Sequence, residues 1–327
     1  MKQNRNRSFL AWAALGLAIL AGGAAAQDAA YPSRNVTIVV PYTPGTGADI
    51  LSRILGPKLA ERWKVAVVID NRAGATGNIG TDHVAKSPAD GYTLLCTATS
   101  FGTNPALHRK LPFDPVTSFE PVALLATSAV SLVVNPQVPA KSVREFIDLA
   151  KKEPGRLYYA SPGSGGPQHL AMELLKQEAK IDLVHVPYKG SGGAIADLVV
   201  GHVQAMVIAL QTASSFVQGG KLRMLAVMSE QRSPAFPDVP TMKELGMGEL
   251  VVETWYGVFA PAGTPAPVVA RINADLNDLL KQPDVRALLE KQGMNPAGGT
   301  PGRFGGLVKS ELSRWSRVVK SAGIKAD

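Results

Sequence analysis

The sequence predicts an α/β fold with mainly parallel sheets, arranged as two lobes, and three observations carry that prediction. β-branched or apolar runs of strand length alternate with segments whose apolar residues fall at helical spacing, from residue 36 almost to the C-terminus. Three of these runs give way to a turn rich in Gly, Ser and Thr that opens directly into a helical segment, near residues 42–47, 161–166 and 188–193. With 327 residues and 46% hydrophobic content, the chain can bury more core than one lobe commonly holds.

The first residues stand apart. Lys2, Arg5 and Arg7 precede an uncharged apolar run over 9–21 and small residues ending Ala24-Ala25-Ala26 before Gln27. That is the order of a secretory signal peptide cleaved after Ala26. The run is short for a bilayer span, and no cysteine stands at the cleavage point to take a lipid. An exported, soluble periplasmic protein is expected once residues 1–26 are removed. The formal charge of +8 then falls to +5, with 31 Lys and Arg interspersed among 26 Asp and Glu. Without a basic tract or a basic stripe interleaved with aromatics, nucleic acid is not an expected partner. The single cysteine, Cys96, sits in the apolar run Tyr92-Thr93-Leu94-Leu95-Cys96 and is expected in the core; one thiol forms no internal disulfide.

The first strand, 36–40, stops at Pro41, and the turn Tyr42-Thr43-Pro44-Gly45-Thr46-Gly47 hands over to a helix over 48–62. Thr46 followed by Asp49 reads as a capping box, leaving the first-turn N–H groups directed into the turn, where they attract anions. A second strand over 65–70 leads into the glycine-rich stretch 71–80, which matches no nucleotide-binding pattern and reads as a tight turn before a short helix near 81–86. The strand 92–98 ends at Thr99 and Ser100, hydroxyls at a carboxyl end, where open α/β sheets bind ligands.

An unbroken apolar stretch over 119–135 predicts a long strand crossing between lobes. Ser142 with Glu145 caps a helix reaching Lys152. The strand 157–160 then opens into Ser161-Pro162-Gly163-Ser164-Gly165-Gly166, with a helix carrying Leu170, Leu174 and Leu175, and the strand 184–187 opens into Tyr188-Lys189-Gly190-Ser191, with Ile195, Leu198 and Val199 on the next helix. Both repeat the chemistry of the opening turn, and Tyr188 and Lys189 add a flat apolar face and a positive charge suited to a carboxylate ligand. Strands over 202–210 and 221–228 follow, the second expected to return the chain to the first lobe. A short helix capped at Thr241 and Glu244 comes next, then a strand over 251–261 with Trp255 in the core, and helices near 267–281, 285–291 and 301–322.

Catalytic and metal patterns are missing from the sequence. Neither Ser164 nor Ser191 sits in a G-x-S-x-G elbow, and there is no H-E-x-x-H, C-x-x-C or acidic metal loop, so no metal, cofactor or catalytic residue is expected. His83, His108, His169, His185 and His202 are scattered. Hydroxyls, glycines and helix starts are equipment for holding an anion. A periplasmic hydrolase or isomerase using Ser164, His169 and Lys189 is the rival from another class.

Pro41-Tyr42-Thr43-Pro44-Gly45-Thr46-Gly47-Ala48-Asp49, Asn71-Arg72-Ala73-Gly74-Ala75, Asp90-Gly91-Tyr92-Thr93-Leu94, the 163–170 stretch, His185-Val186-Pro187-Tyr188-Lys189-Gly190 and Ala260-Pro261-Ala262-Gly263-Thr264-Pro265 together resemble the successive motifs of the Bug proteins. These are the extracytoplasmic solute receptors of tripartite tricarboxylate transporters, and the likeness runs over 31–324. It implies a type II periplasmic-binding-protein fold closing like a Venus flytrap, with 27–125 and 230–327 as the first lobe, 126–229 as the second, and two crossing strands between them. It also implies a small carboxylate as ligand, membrane permease subunits (or a sensor protein) as partner, and a monomer in solution. By position, the implied ligand residues are Tyr42, Thr43, Thr46 and Gly47 of the first lobe, and Ser161, Ser164, Gly165, Gly166, His169, Tyr188 and Ser191 of the second. Thr99 and Ser100 join them from the strand-end argument. Gly45-Thr46 stands where many members carry Gly-Gly.

Overall fold

The computed structural model describes residues 31–107, 110–188 and 190–322. The chain divides into Met1–Ser33 and Arg34–Asp327. The expected signal peptide lies outside the described residues, as do His108 and Lys189.

From Val36 the strands and helices alternate as the sequence pattern requires. β1 (Val36–Val40) is β-branched throughout and buried except at Thr37, which is half-buried. α1 (Gly47–Trp63) lays Leu51, Leu55 and Leu59, spaced four apart, against the sheet and ends at Lys64 in the left-handed region. β2 (Val67–Asn71), a 3₁₀ turn (Ala75–Gly77), α2 (Asn78–Ala85), β3 (Thr93–Ala98) and α3 (Ser100–Leu107) complete the first run. β4 (Phe119–Val134) is the long strand, followed by α4 (Val143–Lys152), β5 (Tyr158–Ser161), α5 (Pro167–Ala179), β6 (Val184–Pro187), α6 (Ser191–Val200), β7 (Ala205–Ala209), α7 (Leu210–Gln218) and β8 (Arg223–Val227). The chain closes with β9 (Glu253–Pro261), α8 (Ala266–Lys281), α9 (Pro283–Lys291), β10 (Asn295–Pro296) and α10 (Pro301–Ala322).

The strands form one sheet in the order β2-β1-β3-β9-β4-β7-β5-β6, with β8 and β10 also pairing with β4. β1, β2 and β3 are parallel at one end, and β5, β6 and β7 at the other. β4 belongs to both ends: residues 119–129 pair with β9, and 130–134 pair with β7. Cys96 lies in the core, as its apolar run suggested.

Three sequence expectations are corrected. The Thr241–Glu244 capping box does close, with Glu244 N–H on Thr241 Oγ1 (3.0 Å) and Thr241 N–H on Glu244 Oε2 (2.8 Å), yet only turns and a short 3₁₀ segment (Gly248–Leu250) follow, because Gly246 turns the chain into the left-handed region at once. The strand read over 221–228 stays beside Ser131–Val134 as β8, and the chain comes back along β4 in β9 instead. An α-helix, α7, follows β7 directly where the sequence reading ended at Gln211 and Thr212.

The C-terminal helix ties the two ends of the sheet together. Near its start Phe304 and Val308 pack with Val39, Leu95, Trp255 and Phe259. Three turns later Trp315 and Val319 pack with Tyr159, Leu170 and Leu174, in the core beneath β5 and β7.

Candidate ligand-binding site

Register alone fixes where the ligand loops meet. β3 ends at Ala98, which pairs with Tyr256 of β9, and Tyr256 pairs with Ala126 of β4. β7 ends at Ala209, which pairs with Val130 of the same strand. β3 runs in the direction of β4 and β7 runs against it, so the carboxyl ends of the two parallel groups face each other across four residues, roughly 13 Å at the usual strand rise. The turns after β1 and β3 and those after β5, β6 and β7 therefore border one crevice. They also touch: a Cβ on Gly165 would lie 2.3 Å from Leu107 Cδ1, so the end of α3 rests on the turn before α5, and with φ at 76° that position favours glycine twice over.

On the first side, Thr46 occupies the N-cap position but does not cap; its hydroxyl donates back to Thr43 O (3.0 Å). Asp49 reaches past Thr46 to accept the Gly45 N–H (2.9 Å), together with Arg53 Nε (3.0 Å) and Asn71 Nδ2 (3.0 Å). The expected capping box is thus replaced by a carboxylate that clamps the turn one residue earlier. Burial alone would raise the Asp49 carboxyl, but the bonds from Arg53, Gly45 and Asn71 outweigh it and hold its pKa below the ordinary value. Because Asp49 points outward from the helix start, the first turn of α1 keeps its N–H groups without a side-chain cap.

Tyr42 is fastened rather than free. Its hydroxyl bonds Thr97 Oγ1 (2.8 Å) and Ser100 Oγ (2.5 Å) and accepts the Ala98 N–H (3.2 Å), while Asn71 Nδ2 donates to its carbonyl (3.1 Å). Burial pushes the phenol's pKa up. What Tyr42 offers the crevice is a ring face. Thr99 is 0% exposed, its Oγ1 accepting the Trp255 N–H (2.8 Å), so this hydroxyl joins β3 to β9. Thr43 is exposed at the rim, and Gly47 opens α1.

On the second side, Ser161 is 0% exposed; its hydroxyl donates to Gly163 O (3.0 Å) and is joined to His185 Nε2 (2.7 Å). Gly165 N–H donates to His169 Nδ1 (2.8 Å). The imidazoles of His169 and His185 stack with centroids 3.9 Å apart, and His185 stacks in turn on Tyr159 at 4.8 Å. Tyr159 donates to Glu173 (2.5 Å), which also holds Lys176 Nζ (2.7 Å). His169 therefore fixes the shape of the Ser164, Gly165 and Gly166 turn through its Nδ1. Tyr188 gives its hydroxyl to Asp197 Oδ2 (2.5 Å), and burial followed by that bond pushes its pKa up to about 12. Ser191 begins α6, half-buried.

Two polar groups at the crevice escaped the sequence reading. Ser128, in the middle of β4, donates to Gln211 Oε1 (2.8 Å) and to Gly293 O (3.1 Å), linking the start of α7 to the opposite side. Tyr256 lies on the row that joins β3 to β4. Neither carries a local signal, since nothing in its own strand sets it apart from neighbours such as Thr127 and Thr254.

The sequence model of the tripartite tricarboxylate transporter family receptor matches residues 51–324. The chain belongs to that family. Protein BugT of Bordetella pertussis is 36% identical over 317 residues, spanning 96% of this chain and 97% of its own. Three solved receptors are similar throughout. The periplasmic binding protein BugD gives a TM-score of 0.80 at 31% identity, covering 91% of this chain and 100% of its own. Rpa4515 of R. palustris, solved with adipate, gives 0.84 at 35%, covering 91% and 100%. MatC of Rhodopseudomonas palustris, solved with bound malate, gives 0.79 at 34%, covering 88% and 100%. The tripartite tricarboxylate transporter receptor described here thus has the two-lobe fold of periplasmic binding proteins, as its motifs implied, and it is a solute receptor.

Proposed function

We propose that this receptor captures a small organic carboxylate between its lobes and hands it to the membrane subunits of a tripartite tricarboxylate transporter. One observation carries the reading: two groups of parallel strands aim their carboxyl ends at each other across Ala126–Val130, and the helices α1, α5, α6 and α7 that start there have no side-chain cap. Aligned N–H groups at a helix start carry roughly half a positive charge, which favours a carboxylate. The ring of Tyr42 supplies a wall, and the hydroxyls of Ser100, Ser161, Ser164 and Ser191, with the main chain of Gly47, Gly165 and Gly166, supply the surrounding polar groups. Adipate in Rpa4515 and malate in MatC are carboxylates of this size. In this reading residues 126–229 form the second lobe, residues 1–26 are removed on export, and the receptor acts as a monomer.

A thermal-shift panel of adipate, malate, citrate and benzoate tests it. Ligand at 100 times its dissociation constant adds about 2.7 kcal/mol of stability, a clear rise in melting temperature. Ligand recovered unchanged after incubation supports capture, and a product would support the hydrolase or isomerase instead. If no carboxylate in the panel shifts the melting point, the reading is wrong.

A further inference from the structure

The phenols around the crevice are not alike. Tyr42, Tyr159 and Tyr188 each have a hydroxyl committed to another side chain. Tyr256 is only 6% exposed, and among the described residues its hydroxyl bonds to nothing. The ring is buried while the oxygen itself is left accessible, which makes this hydroxyl a donor open to a partner from outside the chain. Two residues back on the same face of β9, Thr254 Oγ1 is buried without a partner.

Where Tyr256 points is fixed by Gly47. A Cβ on Gly47 would lie 2.3 Å from the Tyr256 hydroxyl oxygen and 2.5 Å from Cζ, so the phenol tip occupies the space a side chain would fill at the first residue of α1. The hydroxyl is therefore aimed at the helix start whose N–H groups carry no side-chain cap. Burial first, then the neighbouring Tyr42 and Cys96, push its pKa up, so it keeps its proton and acts as a donor.

We propose that Tyr256 determines specificity at this site, its hydroxyl donating a hydrogen bond to one oxygen of a carboxylate seated over the first turn of α1. The proposal rests on the carboxylate reading given above. Gly47 is then required for close approach: any side chain there would displace the phenol and block the helix start together.

The test is Tyr256→Phe, titrated calorimetrically beside the wild type with adipate, malate, citrate and benzoate. The ring and its packing remain and only the donor is lost, so the unliganded melting temperature stays at the wild-type value. Dissociation constants for whichever of these probes the wild type binds rise about 10- to 100-fold, the range for a hydrogen bond to a charged group. Wild-type binding with an unchanged constant in Y256F overturns the role of Tyr256 and leaves the carboxylate reading standing. A wild type that binds none of the four removes both. Should Y256F fail to fold, wild-type receptor carrying 3-fluorotyrosine decides by ¹⁹F spectroscopy: the Tyr256 resonance, assigned as the one that Gly47→Ala shifts furthest, moves on adding the bound probe if the hydroxyl donates to it, and stays still if the proposal is wrong.

Discussion

The turn before α1 and the turn before α5 have nearly the same sequence grammar, a strand end, glycines and hydroxyls, then a helix. In each the third helical residue accepts the N–H of the glycine before the N-cap, yet the accepting groups differ in kind. The first is clamped from outside its helix start: Asp49 holds Gly45 N–H, Arg53 and Asn71, and Tyr42 is pinned to β3, which leaves the first-turn N–H groups without a side-chain cap. The second is held from within, by His169 Nδ1 accepting the Gly165 N–H and by the stack of His169, His185 and Tyr159 beneath it. Neither helix start has a side-chain cap, but α5 opens on Pro167 and so lacks one of the N–H groups that α1 keeps. Similar motifs are thus held by different chemistry, a carboxylate tied to Arg53 and Asn71 in the first and a stacked imidazole in the second.

The sharpest way to break this contrast is to remove the clamp. Asp49 is 2% exposed and joins three donors, so Asp49→Ala should cost about 2–3 kcal/mol in urea unfolding, since hydrogen bonds to a charged group are among the stronger ones. Its pKa is lowered in the folded state, so its contribution is complete above the ordinary value of 3.8 and is lost as pH falls through the lower folded value. Asp49→Asn should accordingly flatten the acid limb of the stability profile below about pH 4. An acid limb identical to the wild type would show that the clamp is held by something other than this carboxylate.

The next largest effect belongs to the second turn. His169→Phe keeps a flat ring to stack on His185 and deletes the acceptor for Gly165 N–H. Leaving a buried amide unpaired should cost about 1–3 kcal/mol. Because Gly165 carries the contact with Leu107, carboxylate affinity should fall along with stability. An unchanged urea midpoint would mean that the stack alone shapes the turn.

What the sequence could show follows from the range of each signal. Period and turn chemistry are local, so the long strand at 119–134, the helix at 301–322 and the three strand–turn–helix units were legible from their own residues. The capping box at Thr46 was misread because Thr46 and Asp49 also have partners 3 and 22 residues away, at Thr43 and Asn71, and the distant one cannot be seen in a window of four. α7 was missed because Leu210-Gln211-Thr212-Ala213-Ser214-Ser215 buries only Leu210 and Ala213, too few apolar positions to show a helical period. Tyr256 and Ser128 take their meaning from register, which brings residues more than a hundred positions apart into one row. The fold was therefore readable in outline, while the site's inner donors depended on pairing that no single segment encodes.

Three hydroxyl deletions sharpen the same point with smaller effects. Tyr42→Phe removes the bonds to Thr97, Ser100 and the Ala98 N–H, and should lower stability by about 1–2 kcal/mol while changing carboxylate affinity little, the reverse of the pattern expected for Tyr256→Phe. The last comparison is between two helix starts. Ser142 accepts the Glu145 N–H (3.2 Å) as a true cap, and Glu145 returns to the Lys141 N–H (2.7 Å), so Ser142→Ala should cost about 1 kcal/mol. Thr46 stands at the equivalent place on α1 but turns its hydroxyl to an exposed carbonyl, so Thr46→Ala should cost only a few tenths of a kcal/mol in the absence of ligand. Equal losses in the two variants would place a cap on α1 after all, and with it a competitor for the carboxylate at the position where this receptor is expected to hold its charge.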